Sequence, residues 1–174
     1  QPSTLLDAAF ERGGSKWRLG TVKITRHIDD ALPELLGDRD LLEQALFQIL
    51  ENAYAAMPDG GELTITASAL EGRESILGVR SLKIEITDTG EGIPTQLLER
   101  VLDPFFTTRE VGLGSGMGLT IAYGVIREHG GQIDLHSVPW EGTTVSLLLP
   151  ITGPPGLVSA DPAHQFLSFN GEVS

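Results

Sequence analysis

The sequence predicts an α/β domain of about five strands and three helices, and three stretches carry that prediction. Residues 39–57 (RDLLEQALFQILENAYAAM) set Leu42, Ala45, Leu46, Ile49, Leu50 and Ala53 three and four apart, the spacing of one buried helical stripe. Residues 81–88 (SLKIEITD) alternate Leu82, Ile84 and Ile86 with Lys83, Glu85 and Thr87, the period of a strand with one face buried. Residues 112–119 (GLGSGMGL) place glycine at every second position and lead straight into a second helical pattern.

Taken in chain order, residues 3–12 (STLLDAAFER) form a short first helix, with Ser3 as its N-cap and Leu5, Leu6, Ala9 and Phe10 on one side. The alternation around Val22 and Ile24 in TVKITRHI marks a strand, closed by Pro33 and Gly37. The long helix starts at a cap on Asp38 or Asp40, and Asp40 with Glu43 makes a carboxylate version of the capping box. Pro58, Asp59, Gly60 and Gly61 stop it. Strands follow at residues 62–70 and 81–88, then the glycine-rich stretch and a helix over 118–129 that ends on Gly130 and Gly131, then strands at 132–137 and 143–149. Residues 1–150 make one domain. Residues 151–174, with three prolines, three glycines and little periodicity, read as a tail or linker.

Composition narrows the function. The chain has 174 residues, 40% hydrophobic and 21% charged, as expected of a single folded unit. It has no cysteine, so a disulfide framework, a thiol nucleophile and thiolate metal sites are out. The net charge of −12 and only three lysines argue against nucleic acid as a partner. The uncharged stretch at residues 111–126 is broken by five glycines and makes a poor membrane span, and no direct membrane contact is expected of this piece. An anionic ligand approaching so acidic a domain needs backbone N–H donors or a divalent cation to offset repulsion.

Three groups of residues offer such chemistry. DTGEGIP places the Asp88 carboxylate at a strand end, where it can accept from an exocyclic amino group, and Gly90 and Gly92 remove Cβ atoms that would block a flat ring. A simple Asp-Gly turn is the other reading. GLGSGMGL can wrap phosphates with backbone N–H groups at a helix N-terminus, or be a plain surface loop. Its spacing fits neither a dinucleotide fingerprint, which needs glycine where Met117 or Leu119 stands, nor a P-loop, because no lysine follows a glycine. Gln48 and Asn52, four apart on the long helix, form either a solvated face or a place where an amide oxygen meets Mg²⁺ shared with substrate phosphates.

LLEQALFQILENAYAAM, DTGEGIP, LDPFFTTRE and GLGSGMGLTIAYGVIREHGGQI, in this order and spacing, resemble the four sequence boxes of bacterial sensor histidine kinases, and PFFTTR is most similar to the nitrogen-regulation type. The resemblance spans about Asp40 to Ile133. It implies the Bergerat fold of the GHKL superfamily, shared with gyrase, MutL and the Hsp90 chaperones: a two-layer α/β sandwich of a mixed sheet on three helices, with a glycine-rich ATP lid.

By the same resemblance the ligands are ATP and Mg²⁺. Asn52 would hold the metal, Asp88 would accept from the adenine amino group, and Gly90, Gly92 and Ile93 would line the base pocket. Gly114, Gly116, Met117, Gly118 and Leu119 would belong to the lid, Arg109 at its edge would reach the phosphates, and Thr143 would support adenine beside Asp88. Phe105 and Phe106 would anchor the lid or dock the phosphoacceptor domain. Gln48, Asn52 and Arg109 form the implied catalytic group. Gln48 departs from relatives that carry Asn, His or Glu there, and an amide cannot take a proton at neutral pH, which disfavours a hydrolase. Arg109 stands in place of a common lysine, and Ala55 offers no polar contact where some kinases have a basic residue.

The implied reaction is transfer of the ATP γ-phosphoryl group to a histidine. None of His27, His129, His136 and His164 lies in the helical context of an acceptor, so the implied partners are a dimerisation and phosphoacceptor domain of the same kinase and a response regulator receiver domain, in the cytoplasm. Three other functions share the fold: an ATPase-type conformational switch, an anti-sigma-type serine kinase, and a nucleotide-binding module without catalysis.

Overall fold

In the computed structural model, residues 1–18, 21–98, 100, 101 and 117–153 are described. The elements are α1 (Pro2–Arg18), β1 (Val22–Ile28), α2 (Arg39–Ala55), β2 (Gly61–Leu70), β3 (Ser81–Asp88), α3 (Thr95–Leu98), α4 (Gly118–Glu128), β4 (Gln132–Val138) and β5 (Gly142–Pro150). The strands form one sheet in the order β1-β2-β3-β5-β4. β1 runs parallel to β2, and every other pair is antiparallel, so the sheet is mixed as expected.

The alternation of β3 continues across its neighbours. Ile65, Ile86 and Val145 share one row, and Ala67, Ile84 and Leu147 the next. All six are buried. The opposite face is polar, with Thr87 Oγ1 3.0 Å from Thr144 Oγ1 and Ser146 donating to Glu85 at 3.1 Å. α2 packs its predicted stripe into the core cluster and has α1 and α4 as neighbours.

Three local expectations are corrected. The first helix does not end near residue 12: after a kink at Gly14 (φ 60) it runs to Arg18, and Ser3 lies inside it rather than capping it. The extension is held by Trp17, stacked between Phe47 at 5.7 Å and Tyr54 at 5.5 Å, whose hydroxyl donates to the Trp17 carbonyl. The kink at Gly14 thus bends the helix without ending it. At α2 the capping box of Asp40 and Glu43 does not form; Asp38 Oδ1 accepts from the N–H groups of Asp40 and Leu41, and Glu43 pairs with Arg12 instead. Finally, the one-turn helix α3 has no counterpart in the sequence reading. Past Pro150 the chain stays attached as far as Gly153, because Ile151 donates to Arg80 and accepts from Leu36.

His129 ties the far ends of α2 and α4 together. Its Nε2 accepts the Asp38 N–H at 2.9 Å, so the ring hydrogen sits on Nδ1, which lies 2.8 Å from the Val125 carbonyl. The ring is buried, and a Cβ on Gly37 would meet it at 2.6 Å. His129→Leu therefore strands a backbone donor, and we expect a loss of about 1–3 kcal/mol, seen as a lower urea midpoint at unchanged slope. An unchanged midpoint would refute the clamp.

Candidate functional site

Three adjacent strands break their apolar pattern at the same end of the sheet. On β3 the buried row Leu82, Ile84, Ile86 is completed by Asp88; on β4 Ile133 and Leu135 are followed by Ser137; on β5 Thr143 precedes Val145, Leu147 and Leu149. Asp88, Ser137 and Thr143 are all buried, and Asp88 and Thr143 are register partners. Core-facing polar groups need partners. They supply one another: Asp88 Oδ1 accepts from Gly90 N at 2.9 Å and Thr143 N at 3.2 Å, and Ser137 Oγ lies 2.8 Å from Thr143 Oγ1. Both of these Asp88 bonds fall on Oδ1. Burial pushes the Asp88 carboxyl above the ordinary aspartate range, and the two backbone N–H groups pull it part of the way back.

The glycines after Asp88 have a reason the sequence reading did not find. A Cβ on Gly90 would lie 2.5 Å from the Ala56 carbonyl at the end of α2, and one on Gly92 (φ +65) would lie 2.2 Å from the Val138 carbonyl. Both permit close approach of protein backbone, which seats the 88–93 loop between α2 and the β4–β5 turn. Glu91 N donates to Ala56 O at 3.1 Å, Trp140 N to Glu91 O at 2.8 Å, and Ile93 N to Ser137 Oγ at 2.8 Å.

One and two turns back along α2 stand Asn52 and Gln48, both half-buried. α4 begins against them: a Cβ on Gly118 would be 2.6 Å from Gln48 Oε1 and 3.4 Å from Asn52 Nδ2. Met117 caps α4 without a side-chain capping hydrogen bond, and the first turn holds no acidic residue to offset the partial positive charge there. The structure thus brings Gln48, Asn52, Gly118, Gly90, Asp88 and Thr143 into one continuous run around the end of α2. Leu119 is half-buried beside Gly118, and Met117 is exposed. Arg109, Gly114 and Gly116 lie outside the described residues, as do Phe105, Phe106 and His164.

Comparison with known proteins decides the family. Residues 37–153 match the model described as Histidine kinase-, DNA gyrase B-, and HSP90-like ATPase. The chain belongs to this family. Sensor kinase CckA of Brucella abortus is 39% identical over 121 residues, covering 66% of this chain and 13% of that protein. The sensory histidine kinase/phosphatase NtrB of Klebsiella oxytoca is 40% identical over 136 residues, covering 75% of this chain and 37% of that protein. Among solved structures, a mycobacterial sensor histidine kinase, MprB, superposes with a TM-score of 0.69 at 27% identity, covering 88% of this chain and 95% of that one. The chain therefore spans well under half the length of these two curated relatives.

A member of this ATPase family has ATP to accommodate, and a divalent cation bound with it would need oxygen ligands. Among the described residues no group of His, Asp or Glu could cage a metal by itself. Mg²⁺ needs no such cage: it is usually held by one or two protein oxygens, with water and phosphate oxygens completing its shell. Asn52 sets its side-chain amide beside the start of α4, with Nδ2 3.4 Å from where a Cβ on Gly118 would lie.

Ser137 is the member of this buried polar group that sequence reading missed. Its signal is visible in retrospect as the third strand-end polar residue on an apolar row, alongside Asp88 and Thr143. No helix among the described residues is long and apolar enough to cross a membrane.

Proposed function

We propose that this chain is the ATP-binding catalytic domain of a sensor histidine kinase, which transfers the γ-phosphoryl group of Mg·ATP to a histidine on a separate dimerisation domain. The observation that supports the reading is that Gly118 abuts Gln48 and Asn52 on α2 while Gly90, bonded to Asp88, abuts the end of the same helix, which would set a phosphate-compatible end and a base-compatible end along α2.

At the base end Asp88 Oδ2 is the acceptor for an exocyclic amino group, and a 6-oxo purine would set oxygen against carboxylate without a proton. At the other end Asn52 would hold Mg²⁺, whose chemistry when bound is to neutralise charge developing on the phosphates. Arg109 would add a fixed cation and Gly114, Gly116 and Gly118 backbone donors, so that the chain contributes mainly positioning and charge. Gln48 has no proton affinity with which to activate water, which favours transfer over hydrolysis.

The acceptor belongs on another domain. His129 is buried with both nitrogens engaged, while His27 and His136 lie on exposed positions of the two edge strands. A response regulator receiver domain would then take the phosphoryl group, in the cytoplasm.

Calorimetry with ATP, ADP and GTP in the presence and absence of Mg²⁺ tests the binding. We expect adenine-selective binding, and Asn52→Ala to weaken ATP by roughly tenfold while erasing most of the Mg²⁺ dependence. Given γ-labelled ATP, the chain should stay unlabelled alone and should label an added acceptor domain with acid-sensitive phosphohistidine. Rapid ATP hydrolysis with no transfer would instead favour the conformational-switch reading.

A further inference from the structure

Ser137 Oγ has three polar neighbours: Ile93 N at 2.8 Å, Gly142 O at 3.0 Å and Thr143 Oγ1 at 2.8 Å. The backbone partners have fixed polarity. Ile93 N–H donates, and the Gly142 carbonyl only accepts. A serine hydroxyl has one hydrogen and two lone pairs. Two oxygen–oxygen contacts require two hydrogens, and only the Ser137 and Thr143 hydroxyls carry any. One assignment satisfies all three contacts: Ser137 donates to Gly142 O, accepts from Ile93 N, and accepts from Thr143 Oγ1. The Thr143 hydrogen is thereby committed inward.

From this geometry, and resting on the nucleotide-binding reading above, we propose that Ser137 determines base specificity by holding Thr143 Oγ1 as an acceptor-only group beside Asp88. The pocket wall made by Asp88 and Thr143 then presents lone pairs and no hydrogen. A 6-amino purine has two hydrogens to give such a wall; a 6-oxo purine has none at that position. Ser137 touches no ligand itself and acts through Thr143, as a positioning residue. It is buried and sits behind the wall, where the same hydroxyl also fixes the Ile93 end of the 88–93 loop.

The test compares ATP with inosine triphosphate, which differs from it at the purine 6-position and N1, by calorimetry on the whole chain with Mg²⁺. In Ser137→Ala the Thr143 hydroxyl is free to rotate and donate to a 6-oxo group, so the ratio of the inosine triphosphate Kd to the ATP Kd should fall by roughly fivefold or more. Ser137→Thr, which restores an acceptor oxygen, should return the ratio towards that of the native chain. Adding Ser137→Ala to Thr143→Val should leave the ratio of Thr143→Val unchanged, since no hydroxyl remains to turn. If Ser137→Ala does not fold, Ser137→Cys, close in size but a weak acceptor, carries the same comparison.

Equal weakening of both nucleotides would reduce Ser137 to a structural residue and overturn the proposal. An unchanged pair of affinities would do so as well, while leaving the kinase reading intact. A native chain that binds neither nucleotide would overturn the kinase reading, and this proposal with it.

Discussion

Asp88→Asn should abolish measurable ATP binding, weakening it by about 100-fold or more, while the protein remains folded. The substitution separates the two oxygens. An asparagine can keep its carbonyl at the Oδ1 position, where Gly90 N and Thr143 N donate. Its NH₂ then stands where Oδ2 was, facing the amino hydrogens of the base donor to donor. The lost charged bond and this opposition together correspond to ~3 kcal/mol. Circular dichroism should show native structure, and calorimetry should show no heat at ATP concentrations that saturate the native chain. Retained micromolar binding would remove Asp88 from the base pocket.

The same residue sets a pH dependence. Its carboxyl titrates above the ordinary aspartate range because it is buried, so on acidification it gains a proton before exposed aspartates do. ATP affinity should fall through that raised pKa as the acceptor is lost. Stability moves the other way: the folded state binds this proton more tightly than the unfolded chain, so the group's contribution is full at low pH and lost as pH rises through the folded value.

Gly142→Ala is the second large effect, and here the fold itself should fail. Gly142 has φ +119, and a Cβ there would lie 1.9 Å from the Asp88 carbonyl oxygen, with Thr89 Cα 3.0 Å away. These are backbone atoms in the β3–β5 pairing, so no side chain can swing aside. The strained dihedral alone costs ~1–3 kcal/mol, and the clash adds to it. We expect a loss of about 3 kcal/mol or more and a thermal midpoint lower by roughly 10 °C or more. Gly124→Ala is the control: a Cβ there meets nothing within 4 Å.

Much of this was legible in the sequence because periodicity reports burial. The α2 stripe and the β3 alternation are copies of the core, and Asp88 was visible as a polar residue ending an apolar strand. What escaped depends on contacts between distant residues. Trp17 extends α1 because Phe47 and Tyr54, thirty or more residues away, sandwich its ring. Asp38 takes the cap that the Asp40 and Glu43 pattern also advertised, and its own N–H is fixed by His129, 91 positions on. The DTGEGIP glycines were found for a general reason, close approach, whereas their actual neighbours, Ala56 and Val138, follow only from the fold.

The pairing of Asp88 with Thr143 joins residues 55 apart, and Ser137 reaches back 44 positions to Ile93. Contacts of this range form late, once the chain has met the entropy of closing long loops. No partly folded fragment ending before β5 can contain the Asp88–Thr143 pair, so a nascent or truncated chain would lack any nucleotide affinity that rests on it. Any ligand held by Asp88 and Thr143 consequently acts on the unfolding equilibrium of the entire domain: at a hundred times its Kd it would add ~2.7 kcal/mol to global stability. Occupancy would then govern how long the domain survives proteolysis as well as whether it can react.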